Sequence, residues 1–317
     1  MGDKTGIAWT DATWNPVTGC TKVSAGCKHC YAERVFPRAY AGQMVIAESS
    51  KRFCDDGNPD KIVRPRRFTD VMTHPDRLDQ PLRWRRPRRV FVNSMSDLFH
   101  DDVPDAFIAL VWSRMAIAQQ HTFQILTKRP ERMRALIADP AWQKLVEIAF
   151  SVLRWKHHGP EAMWPLPNVW LGVSVEDQVT ADKRITVLLE TPAALRFVSY
   201  EPALGPVDFD LIRGQLPVSA DEHMPDPQWI DWIIVGGESG PKARPFDVEW
   251  ARDTVSQCRA SGVPVFVKQL GAYPYDYDLS RESLGITHRA GADIDEWPAD
   301  LRVQEWSRRW LAEQWQE

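Results

Sequence analysis

The chain is predicted to fold as parallel α/β. Short apolar runs rich in β-branched and aromatic residues recur along it, segments of helical character separate them, and each run ends in polar residues. Polar ends are what strands show where their loops line one mouth of a parallel barrel or open sheet. Six runs are clear, at Val90–Val92, Thr122–Leu126, Val169–Val173, Leu195–Ser199, Trp232–Val235 and Val263–Val267, and a seventh must precede the cysteines near the N-terminus. The expected crossover helices are Pro104–Gln120, Glu131–Asp139, Thr180–Glu190 and Val248–Ser261, the last stopped by Gly262. Trp232-Ile-Ile-Val235 is continuously apolar, as a parallel strand covered on both faces should be.

Three segments stand outside the alternation. Val45–Pro87 is a long basic insertion and Leu211–Gln228 a Pro-rich connection, both expected at the surface. Between Asp295 and Glu317, Leu301, Trp306, Trp310 and Leu311 fall at spacings compatible with one helical face, which predicts an amphipathic helix packed on the barrel.

With 317 residues, 44% of them hydrophobic, the chain can bury a full core. Its net charge of -4 hides a basic stretch, in which Arg64, Arg66, Arg67, Arg83, Arg85, Arg86, Arg88 and Arg89 are candidate phosphate contacts for a nucleic acid. Trp84 among them would stack on a base or cover the core. The first residues lack the apolar core of a secretory signal and no later run would span a bilayer, so a cytoplasmic location is expected. Five cysteines in a chain of this size do not suggest a disulfide framework.

Three of those cysteines are crowded into Thr18-Gly-Cys-Thr-Lys-Val-Ser-Ala-Gly-Cys-Lys-His-Cys-Tyr-Ala-Glu33. Cys20, Cys27 and Cys30 would hold an iron-sulfur cluster with one iron left open for a small-molecule cofactor. The alternative is a structural zinc completed by His29, Cys54 or His100, although zinc ribbons usually supply two matched pairs and the second pair is missing here. The strand ends would contribute Asn93, Ser94, Ser96 and Asp97, then Lys128 and Arg129, Ser174 and Glu176, Glu201, Glu238 and Lys268, together a polar pocket of mixed charge.

Cysteines placed directly after a first strand, at the mouth of such a barrel, resemble the radical S-adenosylmethionine superfamily, whose fold is a partial (βα)6 barrel. The first spacer departs from that pattern, with six residues, Thr21 to Gly26, where most members carry three. A more specific resemblance is to a phage-associated family of three-cysteine-motif, radical-SAM-like proteins. It is carried by Trp14-Asn-Pro-Val-Thr-Gly-Cys20, Asn93-Ser-Met-Ser-Asp-Leu-Phe99, Leu126-Thr-Lys-Arg-Pro130, Trp170-Leu-Gly-Val-Ser-Val-Glu176, Ser199-Tyr-Glu-Pro202 and Gly236-Gly-Glu-Ser-Gly240. The Leu126-Thr-Lys-Arg129 element is also similar to one in spore photoproduct lyase, which acts on damaged DNA.

These resemblances imply a barrel over residues 1–270 with the insertion at 45–87, an added strand, and a C-terminal extension over 271–317. They imply that Cys20, Cys27 and Cys30 ligate a [4Fe-4S] cluster whose open iron is chelated by S-adenosylmethionine, with release of a 5'-deoxyadenosyl radical. Asp97, with Asn93 and Ser94, would meet the cofactor's amino group, Lys128 its carboxylate, and Ser174 and Glu176 its ribose. Glu201 and Glu238 would bind cofactor, position substrate or shuttle a proton. The expected function is a radical enzyme acting on a nucleic acid or nucleotide-derived substrate, with a protein partner encoded nearby. A non-catalytic, zinc-stabilised nucleic-acid-binding protein is the alternative.

Overall fold

Seven parallel strands form one sheet, side by side in the order in which the chain makes them: β1 (Ala12–Trp14), β2 (Arg89–Val92), β3 (Thr122–Thr127), β4 (Val169–Val175), β5 (Leu195–Tyr200), β6 (Trp232–Gly236) and β7 (Val265–Gln269). Parallel neighbours need a crossover between each pair, so the sheet curls into a half-barrel with helices alongside. The computed structural model describes residues 5–48, 61–157, 164–209, 230–276 and 284–307. Strand β7 starts two residues later than the apolar run, after Pro264, whose nitrogen has no hydrogen to donate.

The helices among the described residues include α1 (Tyr31–Ala39), α2 (Asp105–Ile117), α3 (Pro130–Ala138), α4 (Pro140–His157), α5 (Gln178–Leu189) and α6 (Val248–Ser261). Helix α5 is fixed at its start by Asp177, whose carboxylate accepts from the Thr180 amide while the Thr180 hydroxyl accepts from the Asp177 amide. Helix α6 ends at Gly262, which takes the left-handed conformation at φ 69°. Among the described residues no helix is long and apolar enough to cross a membrane.

Alternation along the strands sorts the core into two layers. Leu171, Val173 and Val175 of β4 join Ala181, Ile185 and Leu188 of α5 in the larger cluster, on the helix side. Trp170, Phe197, Trp232, Ile234 and Phe266 form a second cluster on the other face, with Trp9 packed among them. Trp232 is its hub, with ring centroids 6.1 Å from Trp9, 6.2 Å from Trp170 and 5.4 Å from Trp306. Trp170 and Trp232 sit at or near the first residues of their strands, so this plug fills the amino-terminal end of the half-barrel and leaves the carboxyl end for polar groups.

Over its described residues, up to 307, the tail departs from the expected helix. Two 3-10 turns, Ile294–Glu296 and Ala299–Leu301, lead into a strip antiparallel to β7, where the Val267 amide donates to Val303 O (2.8 Å) and the Glu305 amide to Val265 O (2.9 Å). Leu301 is buried in the helix-side cluster and Trp306 packs on the inner one, so the two straddle the sheet and do not share one helical face. The strip covers the edge of β7. Trp310 and Leu311 lie outside the described residues, as does Leu211–Gln228.

The basic insertion is only partly a surface excursion. Met44–Glu48 and Lys61–Pro65 pair as an antiparallel hairpin, but Met72–Thr73 pairs with Val17–Thr18 and the chain beyond it is built into the core. Leu78, Pro81 and Trp84 are buried, and Trp84 meets His121 edge-on at 5.7 Å, so this tryptophan covers the core.

Gly172 faces the inner cluster, where an added Cβ would lie 2.5 Å from the Phe197 ring. Gly172→Ala is therefore expected to destabilise the fold by about 1–3 kcal/mol through overpacking. Urea denaturation checks this, and a midpoint equal to wild type would show that the ring has room to move.

Candidate functional site

The three cysteines occupy a loop laid across the carboxyl rim of the sheet. Val17–Thr18 leads into Gly19, whose φ is +93° and whose missing side chain leaves space that a Cβ would fill only 2.6 Å from Asp70 O. The Gly19 amide donates to Met95 O (3.0 Å) and the Cys20 amide to Phe68 O (2.9 Å), so Cys20 is moored to the end of β2 and to the insertion. Behind it, the buried Arg66 donates to Thr18 O (2.9 Å) and to the Thr18 hydroxyl (2.7 Å). Cys27 ends the 3-10 turn Ala25–Cys27, and Cys30 immediately precedes α1. All three are free thiols of intermediate exposure.

They line a cleft of about 290 Å3 together with Asn93, Ser94, Asp97, Lys128, Ser174, Glu201 and Glu238. Of the strand-end residues singled out as cofactor contacts, Glu176 alone is missing from its walls. The remaining walls include Phe68, Phe91, Leu126 and Pro202, which make part of the cleft apolar.

Three carboxylates from β2, β4 and β6 fasten the cysteine loop, and this changes the role of each. Glu176, with no exposed side-chain surface, ion-pairs with Lys128 (2.8 Å) and Arg184 (3.0 Å) and accepts from the Ser24 hydroxyl (2.9 Å). Gly26 passes so close that a Cβ would lie 2.4 Å from Glu176 Oε1. Glu176 thus sits beneath the loop and is not available to ribose. Burial would raise its carboxyl, but the charges of Lys128 and Arg184, with bonds from Lys128 and Ser24, outweigh that and hold it below the usual glutamate range.

Glu238 forms a two-pronged pair with Arg244 (2.7 and 3.0 Å), and Arg244 donates onward to Ala25 O (2.9 Å). Asp97 accepts from the Thr127 hydroxyl (2.8 Å), the Phe99 and Lys128 amides (3.0 and 3.1 Å) and Arg129 Nη1 (3.2 Å). A carboxylate with four donors already satisfied is a poor acceptor for a cofactor amine, and it secures the end of β3. Arg129 continues to Cys20 Sγ (3.6 Å) and to Thr21 O (3.1 Å).

Other groups keep capacity for a ligand. Asn93 is only 4% exposed, stands at φ 63°, and accepts from the Val17 amide through Oδ1 (3.2 Å). Its Nδ2 is buried with no hydrogen-bond partner. Lys128 spends one of three ammonium donors on Glu176. Glu201 pairs with Lys268 (2.6 Å) at the ends of β5 and β7. Ser94 bonds Asn15 within the rim (3.2 Å).

Among the described residues no three histidine, cysteine or acidic groups converge closely enough to share one ion. A tetrahedral zinc at a Zn–S distance of roughly 2.3 Å requires sulfurs roughly 3.8 Å apart, whereas cluster corners on separate irons take ligands spread more widely. His100, considered for zinc, engages the Thr21 hydroxyl through Nε2 (2.8 Å), and Cys54 lies outside the described residues. Burial pushes the Cys20 thiol up to about 11, with the Asp97 charge adding to the rise and Arg129 opposing it, so a metal binding there would displace a proton. Cys20, Cys27 and Cys30 offer three free thiols on one wall of the cleft, the ligand number of a cluster with one open iron.

The arginines divide. Arg64 is paired with Asp70 (2.7 Å), Arg66 is internal, and Arg89 pairs with Asp11 (2.6 Å) while lying 4.1 Å from the Trp306 ring. Arg88 packs over Trp84 at 5.2 Å. Arg83, Arg85 and Arg86 are exposed, but they precede β2 and so lie at the amino-terminal end of the sheet, opposite the cleft. Arg67 is exposed beside Phe68 of the cleft wall.

Sequence reasoning missed Ser24, Gly26, Arg184 and Arg244. Arg184 did leave a signal, because it shares the helical face of Ala181, Ile185 and Leu188, where a charge is out of place unless it is paired inside. Arg244 lies six residues from its carboxylate in an irregular loop and left none.

A family profile described as "Protein of unknown function (DUF5131)" matches residues 4–302. No curated protein and no solved structure matches the chain.

Glu176→Gln would leave Lys128 and Arg184 without their counter-charge and is expected to cost about 3–5 kcal/mol at pH 7. Since the folded-state pKa is depressed, the carboxylate contributes its stability above the unfolded value of about 4.3 and loses it as pH falls through the folded value. The variant should therefore lose less stability than wild type on acidification below pH 4. Parallel acid limbs for the two proteins, followed by thermal melts, would refute the assignment.

Proposed function

The chain belongs to the DUF5131 family, and on that premise we propose that it is a radical S-adenosylmethionine enzyme holding a [4Fe-4S] cluster at Cys20, Cys27 and Cys30. One observation carries the reading: three free cysteines share a single cleft, at the carboxyl rim of a parallel half-barrel, with an unpartnered buried amide donor. When bound and reduced, such a cluster would supply the electron that cleaves the sulfonium of S-adenosylmethionine and frees a 5'-deoxyadenosyl radical.

The chain's own residues would do the placing. With Asn93 Oδ1 committed to the Val17 amide, Nδ2 is left as a donor for an acceptor in the cleft, and the cofactor carboxylate suits it. Lys128 would supply positive charge to the same carboxylate while its bond to Glu176 fixes where the ammonium stands. Ser174, a buried residue of the β4 end, lies within reach of the same space and would meet a hydroxyl. Phe68, Phe91, Leu126 and Pro202 would exclude water from the reacting centre. Glu201, held by Lys268, is the carboxylate on the β5 side that would orient substrate.

A nucleic acid or nucleotide-derived molecule is the substrate class the basic stretch supports. The exposed Arg83, Arg85 and Arg86 would anchor such a polyanion at the far rim, and Arg67 would meet it at the cleft.

Anaerobic reconstitution with iron and sulfide tests the cofactor. Wild type should turn brown and carry iron and sulfide in equal amounts, and Cys27→Ala should lose both. A colourless wild type holding stoichiometric zinc would overturn the proposal in favour of a structural metal. Asn93→Ala should retain iron but bind S-adenosylmethionine about 10- to 100-fold more weakly, the loss expected for a hydrogen bond to a charged acceptor of about 1.5–3 kcal/mol. An unchanged affinity by calorimetry would remove Asn93 from the cofactor site.

A further inference from the structure

We propose that Arg129 is a positioning residue that donates a charge-assisted N–H···S bond to Cys20 and thereby raises the reduction potential of the cluster, an inference that rests on the cluster reading above. Its side chain is only 9% exposed, and the guanidinium is held on two sides. Nη1 meets Cys20 Sγ at 3.6 Å and Asp97 Oδ2 at 3.2 Å, while Nη2 meets Thr21 O at 3.1 Å and the Thr21 hydroxyl at 3.0 Å. The partners are themselves fixed. Asp97 is bonded by Thr127, Phe99 and Lys128, and the Thr21 hydroxyl also engages His100 Nε2 at 2.8 Å. The Arg129 amide donates to the Thr127 hydroxyl at 2.9 Å, so backbone and side chain are tied to the same strand end.

The three cysteines are consequently not equivalent. Cys20 has a cationic donor in a rigid fork, whereas Cys27 has the neutral Ser24 hydroxyl at 3.9 Å. Reduction of a thiolate-held cluster adds one negative charge, part of which resides on the ligand sulfurs. A donor already aimed at one of them stabilises the reduced form more than the oxidised form, and burial strengthens the effect. Asp97 offsets much of the guanidinium charge at a distance, so the influence is concentrated at the corner where N–H meets sulfur. A lysine would keep the charge and lose the fork.

The test compares reconstituted wild type, Arg129→Gln and Arg129→Lys by iron and sulfide content, by thermal melting, and by mediated redox titration of the reduced-cluster electron paramagnetic resonance signal. The Gln variant should retain its iron and sulfide yet show a lower midpoint, with a several-fold smaller reduced fraction at a fixed dithionite poise. The Lys variant should fall between it and wild type. A fully loaded Gln variant with the wild-type midpoint would overturn the proposal and assign Arg129 to fold stability alone. If the Gln variant does not load, the Lys variant decides, and a wild-type midpoint there has the same meaning. A wild type that binds no cluster would instead bring down the reading on which this one rests.

Discussion

A carboxylate sealed inside a protein must be matched by cations and hydrogen-bond donors, because leaving it unpaired costs several kcal/mol. At Glu176 that requirement is met by three separate stretches of chain: the ammonium after β3, a guanidinium from α5, and a hydroxyl from the cysteine loop, whose Gly26 backbone is pressed against the carboxylate. The loop cannot lift without exposing or orphaning the charge. Asp97 and Glu238 repeat the device on either side through Arg129 and Arg244, so that alternate strands β2, β4 and β6 each hold one point of the loop. A span of backbone with few contacts of its own is thereby fixed at both of its halves.

The half-barrel gives those clamps a floor. Tryptophans close its amino-terminal end, and the sheet face that they fill continues through Phe91 and Leu126 into the cleft wall. Among the described residues the cysteines line the cleft at the carboxyl rim. The exposed arginines before β2 are a strand length away from the cleft.

Much of this arrangement was legible in the chain. Buried parallel strands read as unbroken apolar runs, and a polar residue that follows such a strand has one place to go, which is why the strand ends converge on one rim. The pairing of those groups was hidden because partners are brought together from far apart; Ser24 and Glu176 are separated by 152 positions. Asp97, Glu176 and Glu238 therefore read as ligand groups when their lone pairs are largely engaged by the protein. Helix α4 escaped notice because it follows α3 after a single residue, Asp139, and the tail read as a helix because Trp306 and Trp310 are four residues apart in the sequence, whereas Leu301 and Trp306 bury on opposite faces of the sheet.

The proposed cluster must present an open coordination position to the cleft. Electron paramagnetic resonance of the anaerobically reduced, reconstituted protein, recorded with and without S-adenosylmethionine, tests this most directly. The expected result is a reduced [4Fe-4S] signal whose shape changes when the cofactor is added. A cluster signal indifferent to the cofactor, or no cluster signal at all, would contradict it.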